Sequence, residues 1–282
     1  MINVAHIKVK KGRTEILKEA TFRIEPGKIT VVVGKNGAGK STMLEALTGS
    51  NPLSGGSIHW EGEAMEKMSS KTMAIRRAVL SQSVKISFSL RVGELVEMGT
   101  YVSDEPLPQI KIDSLIKSAL QEVEMQDFID RDFTTLSGGE QKRVLLAKCI
   151  AQLNCCCWSN VNKYLFLDEP TANLDVEQQF KLIELVRKLV RRRNVGVFAV
   201  LHDINLAAQF ADEILMLRDG RIIKKGSPQD ILTPENIKET FDIRAIVTPH
   251  PVFGCPHITT LPKHISESSI SSFTKKSISY EK

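Results

Sequence analysis

Residues 34–41 read Gly-Lys-Asn-Gly-Ala-Gly-Lys-Ser: a glycine, four residues, then Gly-Lys-Ser. The spacing constrains the fold because it requires a strand before it and a helix after it. Both are legible. Ile29-Thr30-Val31-Val32-Val33 is a short β-branched run between Pro26-Gly27 and Gly34, which predicts a buried parallel strand. Met43, Leu44 and Leu47 recur at helical spacing, so Lys40 to Thr48 begins a helix. In such a loop Gly34, Gly37 and Gly39 let the main chain curve around a phosphate with its N–H groups pointing inward. Lys35, Asn36, Ala38 and Thr42 complete the expected phosphate-contacting stretch. Lys40 supplies a cation, and Ser41 places a hydroxyl where Mg²⁺ would sit.

About a hundred residues later the chain reads Leu136-Ser137-Gly138-Gly139-Glu140-Gln141. This is another small-residue turn that opens a helix, so Ser137, Gly138 and Gly139 can present amides to an anion. One chain therefore carries two candidate phosphate sites of different design.

Two further buried strands end in polar residues. Tyr164-Leu165-Phe166-Leu167-Asp168 ends in acid, and Gly196 to Leu201 is followed by His202. Between them Val176 to Arg193 has a helical apolar period and predicts a crossover helix. Ile214 to Leu217 and Arg221 to Ile223 flank Asp219-Gly220, a hairpin signal. The fold class is thus α/β, with a mainly parallel sheet and some antiparallel strands. Residues 83 to about 135 show helical patterns, Val92 to Met98 and Ile112 to Val123, separated by polar turns. With the helix that follows Ser137, they bound a helical subdomain at about 83–150 inserted in a domain of residues 1–262. The Ser- and Lys-rich stretch 263–282 predicts a disordered tail.

Composition bounds the class. Hydrophobic residues at 42% and charged residues at 25% are ordinary for a soluble globular protein of 282 residues. The longest apolar runs fall far short of the roughly 18 residues a membrane span needs. No basic-then-apolar segment opens the chain, so the expected compartment is the cytosol. The charge of +5 is mild. The cluster Arg187, Lys188, Arg191, Arg192, Arg193 reads as the solvated end of a helix, where cations favour the macrodipole. No interleaved aromatics point to nucleic acid. Five cysteines, Cys149, Cys155, Cys156, Cys157 and Cys255, make neither a disulfide framework nor a common zinc spacing.

Asp168 and Glu169 stand at the carboxyl end of a strand, where open parallel sheets bind ligands. Adjacent side chains diverge, so Asp168 can hold Mg²⁺ through water while Glu169 polarises an attacking water as a base. His202, at the same sheet edge, is placed for a γ-phosphate contact.

Taken together, the motifs resemble the nucleotide-binding subunits of ABC transporters. Gly34 to Ser41 is similar to Walker A, Leu136 to Gln141 to the family signature, and Tyr164 to Glu169 to Walker B with its catalytic glutamate. Ala172-Asn173-Leu174-Asp175 resembles the D-loop, His202 the switch histidine, and Gln82 takes the Q-loop position. Spacing alone does not single out Gln82. The resemblance implies a P-loop NTPase core with an antiparallel β subdomain, ATP and Mg²⁺ as cofactors, and Ser41, Gln82 and Asp168 around the metal. It also implies that the signature contacts ATP held by Walker A of a second subunit, so that a homodimer sandwiches two ATP molecules. The partners it implies are permease subunits in the cytoplasmic membrane, pressed by the helical insertion from the cytosolic face, and indirectly a substrate-binding protein.

Three stretches resemble importers of iron chelates, haem and cobalamin, and the haemin group in particular. They are Ser81-Gln82-Ser83 with Phe88 to Gly99, the insertion Asn154 to Lys163, and Pro249-His250-Pro251 with Gly254-Cys255-Pro256. A ferric-siderophore or cobalamin importer is the alternative. A soluble ABC ATPase would usually carry two cassettes or a long coiled coil, and a non-hydrolysing binder would not need Glu169 and His202. One departure stands out: the family usually places an adenine-stacking aromatic near residue 10 or 11, where this chain reads Val9-Lys10-Lys11-Gly12. Weaker adenine selectivity is the expectation.

Overall fold

The computed structural model describes residues 1–82, 86–103, 105–155 and 161–262. The expectations on Ser83, Cys156, Cys157 and the tail 263–282 lie outside the described residues.

The strands β1 (Ile2–Lys11) and β2 (Thr14–Ile24) form an antiparallel pair, followed by β3 (Ile29–Gly34) and α1 (Lys40–Leu47). Next, β4 (Gly55–Trp60) and the short β5 (Glu63–Ala64) extend the sheet beside β1. The helix α2 (Ser70–Arg76) leads into β6 (Arg77–Leu80). Among the described residues three α-helices follow, α3 (Val92–Glu97), α4 (Gln109–Glu122) and α5 (Gly138–Asn154). The chain then alternates through β7 (Tyr164–Asp168), α6 (Val176–Arg193), β8 (Gly196–Val200) and α7 (Ile204–Phe210). A hairpin of β9 (Glu213–Arg218) and β10 (Arg221–Gly226) precedes α8 (Pro228–Ile231) and α9 (Pro234–Phe241). A second hairpin, β11 (Arg244–Pro249) with β12 (Pro256–Leu261), ends the described chain.

The large sheet runs β5-β4-β1-β2-β10-β9-β3-β8-β7-β6. From β9 to β6 every neighbouring pair is parallel. All six residues of β3 are buried, as expected for a strand covered on both faces. Its side chains alternate between two cores: Val31 and Val33 face the cluster that includes α5 and α6, and Val32 faces the one with Met43, Phe166 and Phe198. The α3–α5 helices share the first of these clusters through Val92, Ile116 and Leu146.

Local chemistry sets the ends. Asp175 accepts from the Gln178 amide to start α6, Arg191 to Arg193 occupy its last turn, and Asn194 stops it in the left-handed region. The expected hairpin turn at Asp219-Gly220 has both residues at positive φ, the two-residue turn that matches strand twist. The signature helix runs to Asn154, a few residues beyond the expected boundary at 150. The β11–β12 hairpin was not expected from sequence. It docks on α7 through Asn205, whose side-chain amide donates to the Ile258 carbonyl at 3.0 Å and accepts from the Ile258 N–H at 2.7 Å.

Candidate active site

Parallel pairing brings the carboxyl ends of β3, β6, β7 and β8 to one edge, with Asp168 opposite Val200 and Leu167 opposite Leu80. The residues just beyond those ends therefore meet. A cavity of about 520 Å³ there is lined by Ile16, Asn36, Gly37, Gly39, Lys40, Ser41, Thr42, Gln82, Glu169 and His202.

The loop from β3 to α1 forms its floor. Gly39 caps α1 at φ +106 with no side-chain cap, so the first amides of the helix are free to meet an anion. Gly34 is held against β9, where a Cβ would fall 2.2 Å from the Leu217 carbonyl oxygen. Lys40 folds back and donates to the carbonyls of Gly34 at 2.9 Å and Lys35 at 3.0 Å. Burial pushes its ammonium below the ordinary range, and the Glu169 and Asp168 charges pull it back up. Lys35 itself leaves the cavity and pairs with Asp242 at the end of α9.

Asp168 and Glu169 occupy the wall. The Ser41 hydroxyl donates to Asp168 Oδ1 at 3.5 Å. Burial, and then the Glu169 charge, push the Asp168 carboxyl above its ordinary value. Glu169 sits at φ +46, an uncommon conformation for a side-chain-bearing residue and a mark of strain at functional positions. The Gln82 side-chain amide donates to its Oε2 at 2.6 Å. His202 Nε2 faces its Oε1. The three candidate catalytic residues thus converge, with Gln82 hydrogen-bonded to one Glu169 oxygen and His202 against the other.

The second stretch expected to meet a phosphate lies elsewhere. Ser137 caps α5 in a reciprocal box, its N–H and hydroxyl donating to Glu140 at 2.8 and 2.7 Å. Those bonds hold the Glu140 carboxyl below its usual range. Gly139 packs against Gln178 of α6, whose Oε1 would lie 2.5 Å from a Cβ. Among the described residues that line the cavity, none belongs to Ser137, Gly138 or Gly139.

Two residues were missed from sequence. Ile16, on β2, is the aliphatic wall of the cavity, whereas Lys11 turns to Glu45 of α1 at 3.0 Å and does not line it. Lys142 of α5 donates to the carbonyls of Ser81 at 3.2 Å and Gln82 at 2.6 Å. Neither carries a motif signal, because each reaches the site only through tertiary packing.

Among the described residues no helix is long and apolar enough to cross a membrane. The sequence profile of the family described as ABC transporter matches residues 17–172. The Hemin import ATP-binding protein HmuV of Hahella chejuensis is 39% identical over 92% of this chain and 99% of its own length. The HmuV of Hydrogenovibrio crunogenus is 38% identical over 89% of this chain and 96% of its own. The Cobalamin import ATP-binding protein BtuD of Halobacterium salinarum is 36% identical over 94% of this chain and 65% of its own. Among solved structures, the dimeric bacterial ABC transporter cassette MJ0796 superposes with a TM-score of 0.70 at 24% identity, over 80% of this chain and 98% of that one.

Proposed function

The chain belongs to the ABC transporter family as an ATP-binding, ATP-hydrolysing cassette, and we propose that within it this subunit powers haemin import. The names of the relatives above support an importer ATPase, and the two HmuV proteins favour haemin as cargo. The cobalamin relative keeps a corrinoid importer as the second reading.

One observation carries the mechanism: Glu169 takes Gln82 on one oxygen and His202 on the other, beside a phosphate loop that the signature residues of the same chain do not reach. Walker A amides and Lys40 would hold the ATP phosphates, and Ile16 would cover an apolar part of the nucleotide. Glu169 would accept the proton of the attacking water, with Gln82 and His202 fixing its orientation. Ser41 and Asp168 offer a hydroxyl and a carboxylate, the hard oxygen donors Mg²⁺ takes. The Asp168 carboxyl, raised first by burial and then by the Glu169 charge, fits this, since a half-buried pair of like-charged groups favours a cation. Bound there with Gln82 nearby, Mg²⁺ would neutralise charge on the phosphates. Ser137, Gly138 and Gly139 would close the same site from a second copy, so the working unit is a head-to-tail homodimer. The α3–α5 helices would meet permease subunits at the cytoplasmic face of the membrane, and the substrate-binding protein would act through those subunits.

The test is reconstitution with the co-purifying permease in proteoliposomes. ATP-dependent haemin uptake, lost in Glu169→Gln, is expected. Uptake of cobalamin or a ferric siderophore in place of haemin would overturn the cargo assignment.

A further inference from the structure

Gln82 is gripped from two sides. Its side chain donates to Glu169 at 2.6 Å, and its own carbonyl accepts from Lys142 at 2.6 Å. Lys142 also takes the Ser81 carbonyl at 3.2 Å, so it spans the two residues that directly follow β6. It is rooted on the early turns of α5, whose Val144, Leu146 and Ala147 lie in the main core, and it is itself half-buried. Burial pushes its ammonium below the ordinary lysine range, and the Asp168 and Glu169 charges oppose that shift.

We propose that Lys142 is a positioning residue for hydrolysis: it fixes the main chain of Gln82 relative to the signature helix, so that the Gln82 amide reaches Glu169. The inference rests on the roles given above to Gln82 and Glu169. Ser81 and Gln82 are exposed, so water can take over their carbonyls when the ammonium is removed, at little cost in stability. Water does not fix a distance. Removing Lys142 therefore loosens a reacting group without unfolding anything, and a misplacement of about 1 Å can cost up to roughly 10²-fold in rate. A lysine that served only the fold would show the reverse pattern.

The experiment compares Lys142→Met, Lys142→Arg and Glu169→Gln in the full chain. It measures kcat for ATP, affinity for a fluorescent ATP analogue and melting temperature. Lys142→Met keeps the stem and loses the donors, and should lower kcat about tenfold. Analogue affinity and melting temperature should stay near wild type. Lys142→Arg should restore most of kcat. An unchanged kcat in Lys142→Met, with Glu169→Gln inactive, would overturn this inference alone. A joint fall of kcat, affinity and melting temperature that Lys142→Arg does not rescue would also overturn it. Undiminished turnover by Glu169→Gln would remove the site reading and this inference with it.

Discussion

The main-chain N–H of Gly220 donates to the carbonyl of Ala38 at 3.1 Å, tying the tip of the β9–β10 hairpin to the phosphate loop. On its other side the Gly220 carbonyl accepts from Lys18 at 2.9 Å, next to the strand position that carries Ile16 into the cavity. The turn ties the phosphate loop to the strand of the aliphatic wall, and the two also meet directly at Gly39, where a Cβ would lie 3.3 Å from the Ile16 carbonyl oxygen.

A side chain at position 220 should therefore disturb both. Gly220 lies at φ +78, and a Cβ there would sit 2.3 Å from the Ile16 carbonyl oxygen. Gly220→Ala is expected to destabilise the protein by about 2–3 kcal/mol, combining left-handed strain with the forced shift of backbone. ATP affinity should fall with it, since Ala38 and Ile16 both move. Urea unfolding and nucleotide titration check this. Lost stability with ATP affinity intact would show that the tie does not serve the site.

Lys40 should be costly to the empty protein and needed by the filled one. It is 5% exposed, and folding depresses its pKa. A depressed base penalises the fold at neutral pH, and stability recovers only as pH rises towards the ordinary lysine range. Without nucleotide, Lys40→Met should melt no lower than wild type. With ATP, wild type should gain about 2.7 kcal/mol at a hundred times its Kd, and Lys40→Met should gain nothing. Thermal shift with and without ATP reads both. A preserved ATP shift in the variant would contradict the assignment.

Asp168 has the opposite sign. Its carboxyl is raised on folding, so its stabilising contribution is present in acid and lost as pH climbs through the folded value. Asp168→Asn keeps an acceptor for Ser41 and removes the charge. In the absence of metal and nucleotide it should melt a few degrees above wild type at neutral pH. The gap should close below about pH 4, where carboxylates take up protons. The variant should also lose any extra stability that Mg²⁺ adds to ATP. A gap that does not change with pH would contradict this account.

Much of this was legible in the residues. The β-branched run before Gly34, the acid after Leu167 and the periodic Val176 to Arg193 declared a buried strand, a sheet edge and a crossover helix, and the fold contains each. Asp219-Gly220 announced its hairpin because few sequences tolerate two positive φ values in succession. The β11–β12 hairpin was silent: Pro249 ends one strand, Pro256 begins the other, Pro251 lies between them, and its burial does not alternate cleanly. Ile16 was silent for another reason. It reaches the phosphate loop only because β2 pairs with β10 at the far side of the Gly220 turn, a relation between distant segments that no local pattern records.

The central claim is that one chain carries two complementary halves of a site it cannot close alone. Light scattering of Glu169→Gln with saturating Mg-ATP tests it most directly. The amide still fills the cavity but cannot take a proton from water, so the nucleotide stays whole. The mass should double with ATP and return to that of one chain when ATP is removed. A single-chain mass with nucleotide demonstrably bound would contradict it.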